Sequence, residues 1–138
     1  MDDEATLSMI KNYFKVLPTF DDGRIDFSSS EEVPVVTVFI KVGDEILLLK
    51  RSSKVRYYPE RWNTVAGHLD RICTVKEMAY EELGEEVGIS EDMITSMKMA
   101  EPYTIVDDGI GKKWLVHLVL VELASKPSIV LDWEHTEF

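Results

Sequence analysis

The amino-acid sequence predicts a single domain of the α/β or α+β class, built around a mixed β-sheet. Two segments have helical periodicity, whereas most of the remaining chain consists of Val- and Ile-rich stretches separated by turn signals. The chain has 138 residues, of which 45% are hydrophobic and 30% are charged. This length and balance fit one folded domain over residues 1–138 and argue against a disordered or fibrous chain.

The first 32 residues are expected to form an N-terminal helical extension and its connection to the sheet. Apolar residues recur at spacings of three and four positions: Leu7, Ile10, Phe14 and Leu17. With Pro18 following, this pattern predicts an amphipathic helix over residues 1–17. Residues 18–32 contain Asp-Asp-Gly and Ser-Ser-Ser, which predict an irregular connection.

The next part of the chain predicts a hairpin and a short strand. Val33–Lys41 and Glu45–Lys50 are rich in Val, Ile and Leu on either side of a Gly-Asp turn, which is typical of a β-hairpin. A loop is expected from there to Arg61, and Trp62–Ala66 is a candidate for a short strand.

The second half predicts one helix and several more strands. Thr74 and Glu77 form a capping box and Gly88 can end the helix, which is therefore expected over residues 75–87. Further strands are expected at Ile94–Tyr103, Lys112–Leu123 and Ile129–Leu131. The sequence Asp-Asp-Gly-Ile-Gly predicts a tight turn between the first two of these.

The charge distribution indicates a small anionic ligand and argues against general DNA binding. Fifteen Lys and Arg residues face 26 Asp and Glu residues, so the formal charge is −11 and nucleic-acid phosphates would be repelled. Residues 50–61 nevertheless carry five basic residues and one acid, whereas residues 76–88 carry one basic residue and five acids. A basic loop before an acidic helix suits an anion bound through a divalent cation.

Three features predict a reduced, cytoplasmic protein that does not cross a membrane. The longest apolar runs, at residues 46–49 and 115–120, are far shorter than the roughly 20 residues of a spanning helix. The N-terminus is acidic, unlike a secretory signal. Cys73 is the only cysteine, so no internal disulfide can form; we expect it to be a small structural residue because no base or second cysteine lies near it in sequence.

The helix predicted at residues 75–87 carries a cluster of carboxylates. On a helical wheel Glu82, Glu85 and Glu86 fall within an arc of about 100°. Glu86 projects at the edge of the apolar face, so we expect its carboxylate to be partly solvated and to need a compensating charge. Mg²⁺ or Mn²⁺ would supply that charge. An exposed acidic face that confers only solubility is the alternative from these residues alone.

The spacing of this segment resembles the Nudix box. The family pattern is Gly, five residues, Glu, seven residues, Arg-Glu, an aliphatic residue, any residue, Glu-Glu, any residue, Gly and an aliphatic residue. This sequence matches it at Gly67, Glu82, Leu83, Glu85, Glu86, Gly88 and Ile89. Leu-Leu-Leu-Lys-Arg at residues 47–51 and Tyr-Pro-Glu-Arg-Trp-Asn at residues 58–63 resemble the segments that usually precede the box. The resemblance implies a Nudix-type α/β/α sandwich with a mixed β-sheet.

Two residues depart from the pattern. Cys73 stands where the family has its first Glu, and Glu81 stands where it has Arg. In the family these two positions are expected to pair and to brace the loop against the helix. We therefore expect the brace to be replaced or absent here, and the loss of the Glu at position 73 either to weaken metal affinity or to select other chemistry.

The resemblance implies metal-dependent hydrolysis of a nucleoside diphosphate linked to another group. It implies Mg²⁺ or Mn²⁺ held by Glu82, Glu85, Glu86 and the carbonyl of Gly67, with Glu82 also able to orient the attacking water. Trp133-Glu134-His135 resembles a Glu-His pair found in several Nudix subgroups, in which the Glu is a metal ligand or general base. Glu134 is equally compatible with an exposed turn.

Basic and aromatic residues are candidates for substrate binding. Arg51, at the end of a predicted strand, is the best candidate for a phosphate clamp, followed by Arg56 and Arg61. His68 follows the box glycine and either contacts substrate or braces its loop. His117 lies among apolar strand residues and is expected to be a core histidine with its hydrogen bonds satisfied, rather than a ligand. Three more aromatic residues are candidates either for stacking on a base or for packing: Tyr57, Tyr58 and Trp62.

These features together predict a Nudix pyrophosphohydrolase acting on a small nucleotide or another pyrophosphate, with a homodimer compatible with the sequence. The alternative is a Nudix-fold module that binds a nucleotide, RNA or protein without turnover, motivated by Cys73 and Glu81. Nudix chains usually continue beyond the position of Phe138 with a further helix. Either that helix is cut off here or the N-terminal helix takes its place.

Overall fold

The computed structural model describes residues 1–138 and confirms an α+β fold with a mixed sheet. The helices are α1 (Asp3–Val16) and α2 (Val75–Val87), with a 3₁₀ turn at Glu91–Met93. The strands are β1 (Glu32–Val42), β2 (Glu45–Ile46), β3 (Leu49–Arg51), β4 (Trp62–Asn63), β5 (Val65–His68), β6 (Ile94–Met99), β7 (Tyr103–Asp107), β8 (Lys112–Leu123) and β9 (His135–Glu137). Neither helix combines the length and the apolar character needed to cross a membrane.

The main sheet is built on the two long strands β1 and β8, which pair in parallel. β1 carries β-branched residues at most positions and β8 is rich in Val and Leu, and the alternate side chains of each strand face opposite sides. β2 and β5 pair antiparallel with β1, and β6 and β7 pair antiparallel with β8. The parallel pair makes this six-stranded sheet mixed.

A smaller antiparallel sheet, in the order β4-β3-β9, takes residues from two predicted strands. The hairpin at Gly43 is confirmed, but its second strand divides: β2 remains on β1, whereas β3 pairs with β4 and β9. The predicted strand Trp62–Ala66 divides in the same way into β4 and β5. The break lies at the buried Thr64, whose hydroxyl donates a 2.6 Å hydrogen bond to the carbonyl of Val38.

The other strand predictions are corrected at two places. Ile94–Tyr103 is interrupted before Tyr103, where Pro102 cannot donate a ladder hydrogen bond, and becomes β6 and β7. The prediction of a strand at Ile129–Leu131 is wrong. The Val130 N–H bonds the carbonyl of Val87 at the end of α2 instead of a neighbouring strand.

The N-terminal helix and the irregular connection are confirmed. Asp2 caps α1 by accepting a 2.8 Å hydrogen bond from the Ala5 N–H, and Ile10 is its fully buried apolar residue. The connection is fixed from the sheet, because the buried Lys112 ammonium donates 3.2 Å hydrogen bonds to the carbonyls of Phe27 and Ser28.

Helix α2 has the predicted limits and positions the acidic residues. Thr74 and Glu77 form both hydrogen bonds of the capping box, and Gly88 ends the helix with φ 73°, the left-handed conformation that glycine adopts without strain. The helix contacts β1 and β5 and buries Met78, Ala79 and Leu83 in the common core. Its acidic side is thereby held beside Gly67 of β5.

Candidate active site

An open cavity of about 740 Å³ lies over one face of the main sheet. Its floor consists of alternate side chains of the two central strands: Val35, Thr37 and Phe39 of β1, and Trp114, Val116 and Leu118 of β8. Carboxylates from α2 and from the segment before β9 line it, as do arginines and aromatic rings. The cavity is therefore large enough for a nucleotide-sized ligand and has both polar and apolar walls.

The loop glycine and the helix make an unusually close approach at the carboxylate end. A Cβ added to Gly67 would lie 2.7 Å from Cδ and 2.8 Å from Oε1 of Glu82. Glu82 is 9% exposed, and burial is the main reason why its pKa is raised above the ordinary value. Gly67 is therefore required for space, which allows the backbone to lie against the Glu82 carboxylate.

Glu86 is buried more completely than expected. Its exposed fraction is 1%, and both carboxylate oxygens lack a hydrogen-bond partner, so the expectation of partial solvation is wrong. The side chain lies on the helix face that packs into the core and not at its edge. Burial and nearby carboxylates raise its pKa. Glu85, by contrast, is exposed and lines the cavity.

The C-terminal Glu-His pair joins this carboxylate. A carboxylate oxygen of Glu86, a carboxylate oxygen of Glu134 and a ring nitrogen of His135 all lie within 4.8 Å of one another. Glu82 and Glu85 do not belong to this group, so the three helix glutamates are not equivalent. Glu134 is half-buried and lines the cavity, and burial raises its pKa.

Strand pairing explains how residues distant in sequence meet here. β9 pairs with β3, placing His135 opposite Arg51, and the Ser52 N–H donates a 2.8 Å hydrogen bond to the carbonyl of Glu134. The only sequence signal for this contact is the short Trp133-Glu134-His135 match. It does not predict which strand pairs with the segment that carries these residues.

The arginines occupy different parts of the site. Arg51 lines the main cavity, and its Nε donates a 3.0 Å hydrogen bond to the carbonyl of Tyr57. Arg56 also lines the main cavity, whereas Arg61 lines only a smaller adjoining one of about 430 Å³, together with Trp62. Arg24 and Arg71 line the main cavity as well. No sequence signal marks these two arginines, because Arg24 stands in no recognisable motif and Arg71 stands at a position of the box where the pattern allows any residue.

An aromatic wall, formed by Tyr57, His68 and Trp114, faces the cavity. The Tyr57 and Trp114 ring centroids are 5.0 Å apart, and His68 lies 6.1 Å from Tyr57 and 6.0 Å from Trp114. Burial, together with nearby cations such as Lys112, lowers the pKa of His68 to about 4. His68 is therefore neutral at physiological pH and presents an uncharged ring.

Tyr58 links the loop after β3 to the main sheet at the cavity rim. The Trp114 Nε1–H donates a 3.0 Å hydrogen bond to the Tyr58 hydroxyl, which in turn donates a 2.6 Å hydrogen bond to Asp107. These two bonds hold the loop that carries Arg56 and Tyr57 against the main sheet, where Tyr57 packs with Trp114 in the aromatic wall.

The positions that depart from the box have definite surroundings. Glu81 forms an ion pair with Arg71, which also lies 3.3 Å from Asp70. Cys73 is buried, and burial raises its pKa to about 11, so its thiol is protonated at neutral pH. His117 is a buried histidine as expected, on the sheet face away from the cavity, but the expectation that its hydrogen bonds are satisfied is wrong, because its Nε2 has no partner.

The fold and the cavity define an α+β domain with a candidate metal site between a helix and a C-terminal strand. A sequence profile of the NUDIX domain matches residues 31–138. The chain therefore belongs to the Nudix family, a family of hydrolases. No curated protein sequence matches it.

Solved structures of Nudix proteins share the fold. A MutT protein from Methanosarcina mazei Go1 is 24% identical, with a TM-score of 0.62 over 77% of this chain and 73% of that one. A MutT NUDIX hydrolase from Burkholderia pseudomallei is 21% identical, with a TM-score of 0.63 over 78% and 80%. An Ap4A hydrolase from C. elegans is 22% identical, with a TM-score of 0.54 over 77% and 75%.

Proposed function

We propose that this chain is a metal-dependent hydrolase that cleaves a phosphoanhydride bond of a nucleoside diphosphate linked to another group. The observation that carries the proposal is Glu86, a buried carboxyl group whose oxygens have no partner. It lies close to Glu134, which lines the cavity together with arginines and aromatic rings. A buried carboxylate without compensation is unfavourable, so this position favours a bound cation.

The residues present fit Mg²⁺ or Mn²⁺. The set implied by the box is Gly67, Glu82, Glu85 and Glu86, and Glu134 is a further oxygen ligand close to Glu86. Carboxylate and carbonyl oxygens are the ligands that these hard cations prefer. Such a cation, when bound, neutralises phosphate oxygens and lowers the pKa of a coordinated water.

Glu82 and Glu134 are the candidates for the general base. Hydrolysis joins the oxygen of water to phosphorus, breaks the P–O bond of the anhydride, and transfers a proton from the water to a carboxylate. Burial raises the pKa of both side chains, which brings them closer to neutral pH, where a general base works best. Both also line the cavity and are accessible to a substrate there.

The rest of the cavity suits the two parts of a nucleotide. Arg51 and Arg56 offer guanidinium groups to phosphates, and Arg51 is already oriented by its hydrogen bond to Tyr57. The aromatic wall offers faces on which a base can stack. A neutral His68 can hydrogen-bond to a base without adding charge.

The competing hypothesis, a module that binds without turnover, was motivated by the changes at Cys73 and Glu81. The ion pair between Arg71 and Glu81 argues against it. This ion pair connects the loop before α2 to the helix, as the family brace is expected to do. Here the loop carries the positive charge and the helix the negative one, the reverse of the family arrangement. The departures from the box are therefore compatible with an ordered catalytic loop.

The test is a panel of nucleotide anhydrides with Mn²⁺, with Mg²⁺ and with a chelator, assayed for phosphorylated products. We expect turnover that the chelator stops and that Glu86→Gln abolishes. Glu91→Gln, a change of an exposed acid outside the cavity, should leave the rate unchanged. Binding without turnover across the panel would support the module instead.

The homodimer and the cytoplasmic location stay predictions, to be checked by light scattering and cell fractionation.

A further inference from the structure

We propose that His135 supplies a nitrogen ligand to the metal, so that the site combines imidazole with carboxylates and binds Mn²⁺ and other transition metals in preference to Mg²⁺. This inference rests on the proposed function, because it concerns the same metal centre. It adds a ligand that lies outside the box and in a different part of the fold.

The burial of His135 is the first observation. Its side chain is fully buried, and neither Nδ1 nor Nε2 has a hydrogen-bond partner. Buried polar atoms almost always have a partner. An imidazole with two unpaired nitrogens therefore indicates a partner that is not part of the protein chain. Glu86 shows the same deficit at both carboxylate oxygens.

The geometry brings these unpaired atoms together. His135 Nδ1 lies 3.8 Å from Oε1 of Glu86 and also 3.8 Å from Oδ1 of Asp132, and both distances are too long for a hydrogen bond. The distance to Glu86 falls within the separations of roughly 3–4 Å between ligands that share an ion at about 2.1 Å. Glu134 completes a group whose ligand atoms are all within 4.8 Å of one another.

The backbone holds His135 in this position independently of any ion. Its N–H bonds the carbonyl of Asp132 at 3.4 Å, and its strand pairs with β3 opposite Arg51. Glu86 is held separately on α2. Two rigid elements therefore present the unpaired atoms to each other, as a preformed ligand set requires.

The chemical consequence is metal preference. Oxygen ligands alone suit Mg²⁺, whereas an imidazole nitrogen adds affinity for transition metals and adds little for Mg²⁺. A site with one histidine among carboxylates should therefore discriminate more strongly than a site built from the box glutamates alone.

The experiment is pulsed electron paramagnetic resonance on the wild-type chain loaded with Mn²⁺, without substrate. The chain has three histidines, so ¹⁵N-histidine labelling tests whether any histidine nitrogen is coupled to the metal. We expect a ¹⁴N coupling that the label replaces with ¹⁵N. It should vanish in His135→Gln and persist in His117→Gln, a buried histidine on the sheet face away from the cavity.

Mn²⁺ and Mg²⁺ titrations provide a second readout. His135→Gln should weaken Mn²⁺ binding by about 10–100-fold, the range known for disturbing even outer metal partners, with a smaller effect on Mg²⁺. Bound Mn²⁺ without histidine coupling, or coupling that survives in His135→Gln, would overturn the nitrogen ligand and leave the proposed hydrolase intact. Failure of the wild type to bind Mn²⁺ at all would overturn both.

Discussion

Replacing Gly67 by alanine tests the central contact of the site, because the change adds one methyl group and removes no polar group. The added Cβ would lie 2.7 Å from Cδ of Glu82, whereas ordinary contacts begin at 3.4 Å. The carboxylate must therefore move by about 0.7 Å, the difference between these distances. The backbone can remain in place because the displaced atoms are the end of a flexible side chain.

The cost should appear in function and only slightly in stability. A misplacement of about 1 Å in a catalytic group can lower a rate by about 100-fold, so we expect a loss of about 10–100-fold in kcat/KM. Because Glu82 can swing aside, the free energy of unfolding should fall by less than about 1 kcal/mol. The assays are hydrolysis of the best substrate from the anhydride panel and thermal unfolding.

Gly84→Ala is the matched control. Gly84 lies in the last turn of α2, and an added Cβ there meets only the Ile89 carbonyl oxygen, at 4.0 Å. Alanine is preferred over glycine inside a helix by about 0.5–1 kcal/mol, so this variant should be slightly more stable and fully active. Activity of Gly67→Ala within twofold of wild type would refute the close-contact argument.

Three further predictions concern single groups of the site. Glu85→Gln should abolish hydrolysis with little change in unfolding temperature, since Glu85 is exposed; an unchanged rate would remove it from the metal shell. Without metal, the free energy of unfolding should fall as pH rises above 4.5, the ordinary pKa of Glu, because burial raises the pKa of Glu86 and the folded state retains its proton. The unfolding temperature should decrease with pH in this way in Glu91→Gln and less steeply in Glu86→Gln. Glu81 is about half-exposed, so a double-mutant cycle on the Arg71–Glu81 pair should give a coupling energy of about 0.3–1 kcal/mol. The exchange Arg71→Glu with Glu81→Arg should recover the free energy of unfolding that either single change loses, and no recovery would show that the pair is not a brace.

The sequence predicted those parts of the fold and site that depend on neighbours within one or two turns of chain. The capping box of Thr74 and Glu77, the end of α2 at Gly88 and the limits of α1 all follow from local hydrogen bonds and periodicity. The box spacing led to the family, which the NUDIX profile confirms. A pattern of this kind is sufficient because helix geometry fixes which residues share a face.

The tertiary structure decided which strands pair and therefore which charges meet. Glu45–Lys50 and Trp62–Ala66 each divide between two sheets, a division that periodicity does not reveal because both parts have strand-like composition. Pairing of β9 with β3 in the smaller sheet places His135 beside Glu86. Burial of Glu86 and the pairing of Arg71 with Glu81 also depend on contacts between separate elements. Register and burial arise from packing of the whole chain. Local sequence therefore determines the separate elements, and long-range contacts determine which candidate metal ligands meet.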